Sequence, residues 1–199
     1  MAEEKQIKIM VGSTVYGFQD QLSAIWTTLS TIGYKVMNSH MGTIRVNPLL
    51  SNLENCLNAV DECDIFLGII RPYYGTGNIG DANITFEEIK RAIASKKPYW
   101  FLVHRDVVFA KQLFKKLYYE TTDGKKLKDI KVDRSAVFDD RTLEIYDYVI
   151  KNGEPVTLRT GNWAQEFYRL DEALLYVQTQ FGEMDFVQKI VHKNEGTNE

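Results

Sequence analysis

The apolar positions of the chain fall into compact runs that alternate with stretches of helical spacing. Ile7 to Val11 is one such run, ending at Gly12-Ser13-Thr14. Leu22, Ile25, Trp26, Leu29 and Ile32 then recur at the helical period until Gly33 stops them. Tyr34 to Met37 predicts a second strand, and Leu49, Leu53, Leu57 and Val60 predict a helix that begins near Pro48. From Asp64 to Ile70 the chain reads Asp-Ile-Phe-Leu-Gly-Ile-Ile, the continuous apolar run of a parallel strand buried on both faces. This strand opens into the Gly-rich loop Arg71 to Asn83, a helix over Thr85 to Ser95 and a fourth strand over Pro98 to Val103. A β-α-β-α-β-α-β series with short connections predicts right-handed crossovers and an α/β, doubly wound parallel sheet.

Beyond His104 the pattern becomes mostly helical, with helical spacing at Val108, Leu113 and Leu117, and helices over Thr142 to Ile150 and Trp163 to Phe181. The expected organisation is an α/β core over residues 1–105 and a helical extension over 106–199 packed on the same domain. Thr121 to Arg134, rich in Lys and Asp, reads as a surface loop, and Lys193 to Glu199 as a disordered tail. At 199 residues, with 44% hydrophobic and 12% aromatic positions, the chain is long enough for one substantial core.

Charge and cysteine usage narrow the function classes. A net charge of −3 gives no basic field for nucleic acid or an anionic membrane, so neither is an expected partner. Cys56 and Cys63 fit neither a redox pair nor a zinc half-site and read as reduced and structural. His40, His104 and His192 lack metal-ligand spacing, so no metal is expected. A polar N-terminus and the absence of an apolar run near the ~20 residues of a membrane span imply a cytoplasmic protein.

Ligand chemistry in an open parallel sheet belongs at the strand C-termini, which directs attention to Gly12 to Gly17, Arg71 to Asn83 and His104-Arg105. Gly12, Ser13 and Thr14 combine close backbone approach with hydroxyls before a helix, suited to a ribose or phosphate. They match neither the dinucleotide fingerprint nor the Walker loop. Arg71, Tyr73, Tyr74 and Gly75 offer a guanidinium and two phenols to a nucleobase, although each tyrosine also suits a core cap. Glu88 has two readings. It falls at N3 of a capping box opened by Thr85, and it is equally a carboxylate in the first turn of a helix that faces the crevice. In the second role it can stabilise the positive charge that develops on a sugar as its N-glycosidic bond breaks. Lys90, Arg91, Lys96 and Lys97 read as a solvated face.

Several of these segments together carry a resemblance. Ile9-Met10-Val11-Gly12-Ser13-Thr14, the strand Cys63-Asp64-Ile65-Phe66-Leu67-Gly68, Tyr73-Tyr74-Gly75, and Thr85-Phe86-Glu87-Glu88-Ile89 with Ala92 and Lys97-Pro98 resemble a TIR-like bacterial domain of unknown function (DUF4062). That family is similar to nucleoside 2-deoxyribosyltransferases and to TIR NAD-cleaving domains. The resemblance spans about Lys8 to Val103. It implies a flavodoxin-like fold, an active-site glutamate at Glu88, and Ser13 and Thr14 near ribose or phosphate. Asp81 is the nearest counterpart of the acidic pair that flanks the sugar in the transferases. Gly17 and Gln21-Leu22 stand where the family usually carries an acidic residue and a Glu-Arg pair.

The function expected from this reading is a nucleotide N-glycosidase acting on NAD or a related nucleotide, with a role in bacterial stress or phage-defence signalling. The alternative is a non-catalytic nucleotide-binding or protein-interaction module of the same fold. No cofactor is expected beyond the nucleotide as substrate. The expected partners are a nucleotide or nucleoside ligand and either a second copy of the chain or a neighbouring-gene protein.

Overall fold

The computed structural model describes residues 6–75, 78–79, 82–118 and 138–195. Five parallel strands form one sheet in the order β2-β1-β3-β6-β7, where β1 is Lys8–Ser13, β2 Lys35–Met37, β3 Ile65–Ile70, β6 Tyr99–His104 and β7 Ala164–Phe167. A two-stranded antiparallel ladder, β4 (Asn78–Ile79) with β5 (Ala82–Asn83), lies between β3 and the following helix. The helices are α1 (Gln19–Ile32), α2 (Asn52–Glu62), α3 (Ile84–Ala94), α4 (Arg105–Tyr118), α5 (Arg141–Val149), α6 (Leu170–Phe181) and α7 (Met184–Glu195).

Period-two alternation divides the sheet between two apolar layers. Ile9, Val11, Ile65, Leu67, Ile69 and Leu102 face α1, α6 and α7. Met10, Phe66, Ile70, Phe101 and Val103 face α2, α3, α4 and α5. The chain leaves β1 toward β2 on one side and leaves β3 toward β6 on the other, so β1 and β3 flank the point where the winding reverses. A crevice at the C-terminal ends of these strands is the geometric result. The α/β fold, the doubly wound parallel sheet and the largely helical C-terminal half are as the sequence predicts.

Three local expectations are corrected. Trp163 to Phe181 is not one helix: Ala164–Phe167 adds a fifth strand beside β6, and α6 begins at Leu170. This strand is short and at the sheet edge, with only Phe167 fully buried, so it lacks the apolar run that marks β3. The tail is helical as far as Glu195 rather than disordered from Lys193. The basic residues of α3 and of the turn after it do not form a purely solvated face. Lys97 Nζ donates to the carbonyls of Val60 (2.8 Å), Cys63 (2.6 Å) and Asp61, closing the C-terminal end of α2, while Arg91 holds Asp61 by two bonds of 2.7 Å. Thr121 to Arg134, expected as a surface loop, lies outside the described residues.

Candidate functional site

A cleft of about 460 Å³ opens at the β1–β3 reversal point, a size suited to a small organic ligand. Ser13, the last residue of β1, and Thr14 just after it line its floor, and Tyr16 stands at its rim. Ser39, His40 and Gly42 come from the loop after β2, Asn55 and Cys56 from α2, and Gly75, Asn83, Thr85 and Glu88 from the segment that ends β3 and starts α3. Of the three loops expected to converge, two do. His104 instead packs edge-on against Phe167 and beside Tyr168, and Arg105 lines a different groove.

Glu88 is the carboxylate of this cleft, and it is only 3% exposed. Its helix does not begin at Thr85. Asn83 is the N-cap, its side chain accepting from the Phe86 N–H at 3.1 Å, which places Glu88 in the second turn. The capping-box account of Glu88 is thereby removed: Asn83 supplies the cap, and the carboxylate is free of the helix terminus. Burial raises its pKa from 4.5 to about 7, opposed by a hydrogen bond with the Cys56 thiol. A carboxyl poised near neutrality in a cleft is a recurrent property of acids, bases and nucleophiles.

Gly12 makes this placement possible. A Cβ there would lie 2.7 Å from Phe66 Cζ and 3.0 Å from Glu88 Oε2, so the carboxylate rests directly against the backbone of β1. Gly75 has a second backbone requirement, a φ of +86°, which an L side chain rarely adopts.

The other residues singled out in the sequence divide between cleft and scaffold. Ser13 lines the cleft and its hydroxyl donates to the Thr14 carbonyl at 3.0 Å. Thr14 also lines it, is 7% exposed, and its Oγ1 has no hydrogen-bond partner among the described residues. Arg71 is turned to scaffold work: its guanidinium donates to the carbonyls of Thr14 (3.1 Å), Tyr16 (2.7 Å) and Gly17 (3.5 Å) and lies over the rings of Phe18 and Tyr73. Tyr74 is 6% exposed and belongs to the core, with Arg141 stacked 3.8 Å from its ring centroid. Tyr73 meets Tyr16 edge to face near the cleft mouth. Asp81 lies outside the described residues.

Arg71→Met is therefore expected to destabilise the fold by about 2 kcal/mol or more, because the Thr14 and Tyr16 carbonyls lose a buried charged donor. Urea denaturation with the parent alongside measures this. The same variant should loosen the β1–α1 loop.

Ser39, His40, Asn55 and Cys56 are cleft residues that the sequence reading left out. A signal existed for Asn55 and Cys56, since they share a helical stripe with Ala59 and Val60, where a polar residue is unexpected. The Asn55 amide is occupied by the loop before α2: Oδ1 accepts from Asn47 N–H at 2.7 Å, and Nδ2 donates to Asn47, Leu50 and Ser51 carbonyls. His40 and Ser39 lie on an irregular loop with no periodicity to announce them.

A larger groove of about 860 Å³ runs along the outer edge of the sheet between β6, β7 and α6. Exposed Trp163, Tyr168 and Leu175 line it. Of its two carboxylates, Glu172 is engaged with the Tyr168 and Arg169 N–H groups at the start of α6 and Glu166 is exposed. Among the described residues it holds no buried carboxyl, and the smaller cleft is the better place for chemistry. Among the described residues no cluster of three or more His, Cys, Asp or Glu side chains suits a metal ion. No described helix is long and apolar enough to cross a membrane.

Over residues 8–154 the chain matches the family described as Domain of unknown function (DUF4062). No curated protein matches it. Among solved structures, one similar chain is a Clostridium botulinum CMP N-glycosidase, BcmB, with a TM-score of 0.47 and 12% identity over 86% of this chain and 98% of that one. Another is a 2-desoxiribosyltransferase from Leishmania mexicana, with a TM-score of 0.33 and 15% identity over 71% of this chain and 96% of that one.

Proposed function

The chain belongs to the DUF4062 family, and from the chemistry of its cleft we propose that it is an N-glycosidase, cleaving the bond between sugar and base in a nucleoside or nucleotide, NAD among the candidates. The observation that carries this reading is Glu88: a carboxylate buried at the floor of a cleft, set against Gly12, titrating near neutrality and not used as a helix cap. The resemblance of the Glu88 segment to the nucleoside deoxyribosyltransferase helix points the same way.

In the reaction, the C1′–N bond breaks, the base leaves with the bonding electron pair, and positive charge spreads over C1′ and the ring oxygen of the sugar. Ionised Glu88 meets that charge, either as an ion or by forming a glycosyl ester at C1′. Water then adds to C1′, and its protons are divided between the sugar hydroxyl and the released base. Ser13 and Thr14 line the same cleft and suit the sugar. Among the described lining residues there is no Lys or Arg, so the described wall addresses the sugar and base rather than a phosphate. Tyr16 at the rim offers a ring face to the base.

The test is incubation of the purified protein with NAD, nucleosides, deoxynucleosides and their monophosphates, with base release followed by chromatography beside Glu88→Gln. Base release by the parent is expected, lower by about 1000-fold or more in the variant, the scale of a lost transition-state charge contact. Because the ionised form acts, the rate should climb between pH 6 and 8, through the titration near 7, and level off above it. Equal base release by parent and variant would remove Glu88 from the chemistry. No release with any substrate would leave a binding module as the account of the cleft.

A further inference from the structure

The β1–β2 ladder stops at Met37, one residue short of the turn that enters the cleft. Met37 is paired with Met10, and the ladder advances two residues at each bond from the Lys35 N–H to the Ile7 carbonyl. By that step the next rung would run from the Ser39 N–H to the Val11 carbonyl. The Asn38 side chain supplies it instead, Nδ2 donating to the Val11 carbonyl at 2.8 Å. Asn38 is 2% exposed, and its other polar groups are also used. Oδ1 accepts from the Met41 N–H at 3.0 Å, the Asn38 N–H donates to Thr43 Oγ1 at 2.9 Å, and the Asn38 carbonyl accepts from the Thr43 N–H at 3.1 Å. These bonds bracket the turn Ser39 to Gly42, which is closed by the Gly42 N–H on the Ser39 carbonyl at 3.2 Å. Replacing a backbone rung by a side-chain amide lets the chain leave the sheet without abandoning a buried carbonyl.

We infer that Asn38 is the positioning residue for the β2 side of the cleft, its amide fixing where Ser39, His40 and Gly42 meet a bound sugar or base. The inference rests on the cleft being the substrate site and names what holds one of its walls. Ser39, His40 and Gly42 line the cleft, whereas Asn38 and Thr43 are not among its lining residues. Any effect of these two on substrate therefore passes through the turn. The rung to Val11 also ties the turn to the residue before Gly12, against which Glu88 rests, so the wall and the carboxylate are both referred to the end of β1. A wall that is no longer held weakens the bound ground state and the transition state alike, which raises KM and leaves kcat in place.

Two readouts decide the matter. In hydrogen exchange followed by NMR, Asn38→Ala is expected to speed exchange of the Met41 N–H by about tenfold or more, beyond any change shared by the β3 amides. In base release from the nucleoside or nucleotide that the parent cleaves fastest, the same variant should raise KM about tenfold and leave kcat within about twofold. Thr43→Val, which keeps the shape but removes the hydroxyl met by the Asn38 N–H, should move KM the same way and serves if Asn38→Ala does not fold. Thr43→Ser keeps that hydroxyl and should match the parent. Unchanged Met41 exchange in Asn38→Ala would overturn the tie. Faster exchange with KM unaltered in both variants would leave Asn38 a residue of the fold alone and sink the positioning role. If the parent releases no base, the glycosidase reading fails, while the exchange comparison still decides whether Asn38 holds the turn.

Discussion

Glu88→Gln is expected to melt about 6 to 10 °C above the parent at pH 8 and at nearly the same temperature at pH 4.5, the reverse of what removing a charged side chain usually does. The sign follows from the proton. In the unfolded chain the carboxyl titrates at 4.5, whereas in the fold burial raises it to about 7. Below the lower value both states are protonated and Glu88 is nearly neutral to stability. As pH rises toward 7 the unfolded chain releases its proton first, and that release favours unfolding. Above 7 both states are ionised and the fold carries the full cost of a buried charge, on the order of 3 kcal/mol for a displacement of this size. Glutamine has the shape of the protonated acid and carries no such cost at any pH. Differential scanning calorimetry of both proteins across pH 4.5 to 8 makes the measurement. Parallel melting curves would mean that Glu88 is better solvated than its burial implies. Loss of base release together with a gain in stability would mark a residue kept for chemistry at the expense of the fold.

Gly12→Ala should act in the opposite direction and damage both fold and site. The added methyl would stand 2.7 Å from the Phe66 ring, which is fully buried between β3 and the α2–α3 layer. The ring has no room to swing aside, so the strain falls on β1 or on α3, at about 1–3 kcal/mol for overpacking a core. The second neighbour of that methyl is the Glu88 carboxylate at 3.0 Å, and any retreat of α3 carries this group away from the cleft floor. Base release should therefore fall by about 100-fold or more even at temperatures where the variant is fully folded, since displacement of a catalytic group by about an ångström is costly. Gly153→Ala serves as the control. Its Cβ would meet nothing within 4 Å, and the change should be neutral in both stability and rate. Wild-type turnover by folded Gly12→Ala would show that the contact between β1 and Glu88 is dispensable.

How far the sequence could be read depended on how many neighbours each signal needed. The strands around β3 were legible because burial on both faces leaves an unbroken apolar run, as in Ile65–Ile70. β7 was not, because an edge strand of four residues with Gln165 and Glu166 at its centre looks like any polar segment joined to a helix. Glu88 could be placed at the crevice from the β-α order alone, but its cap could not. Thr85 and Asn83 both suit an N-cap, and the choice was made by where β5 ends and helical backbone begins. Arg71 and Tyr74 showed the limit of residue type as a guide. Both have the chemistry to hold a nucleotide, yet one is drawn to backbone carbonyls and the other into the core beside Arg141. Cys56 was read as merely structural because its place in the cleft lining appears only when α2 and α3 pack side by side.

The walls of the cleft are fastened by protein-to-protein bonds. Arg71 holds the β1–α1 loop, the Asn55 amide holds the segment before α2, and Lys97 with Arg91 ties α2 to the region around α3. None of these bonds waits on a ligand, so the conformational entropy of ordering these segments is lost when the chain folds. A small molecule entering the cleft does not have to supply it again. Binding free energy that a floppy site would divert into arranging its own loops is left for distorting the bound sugar toward its flattened, cationic form.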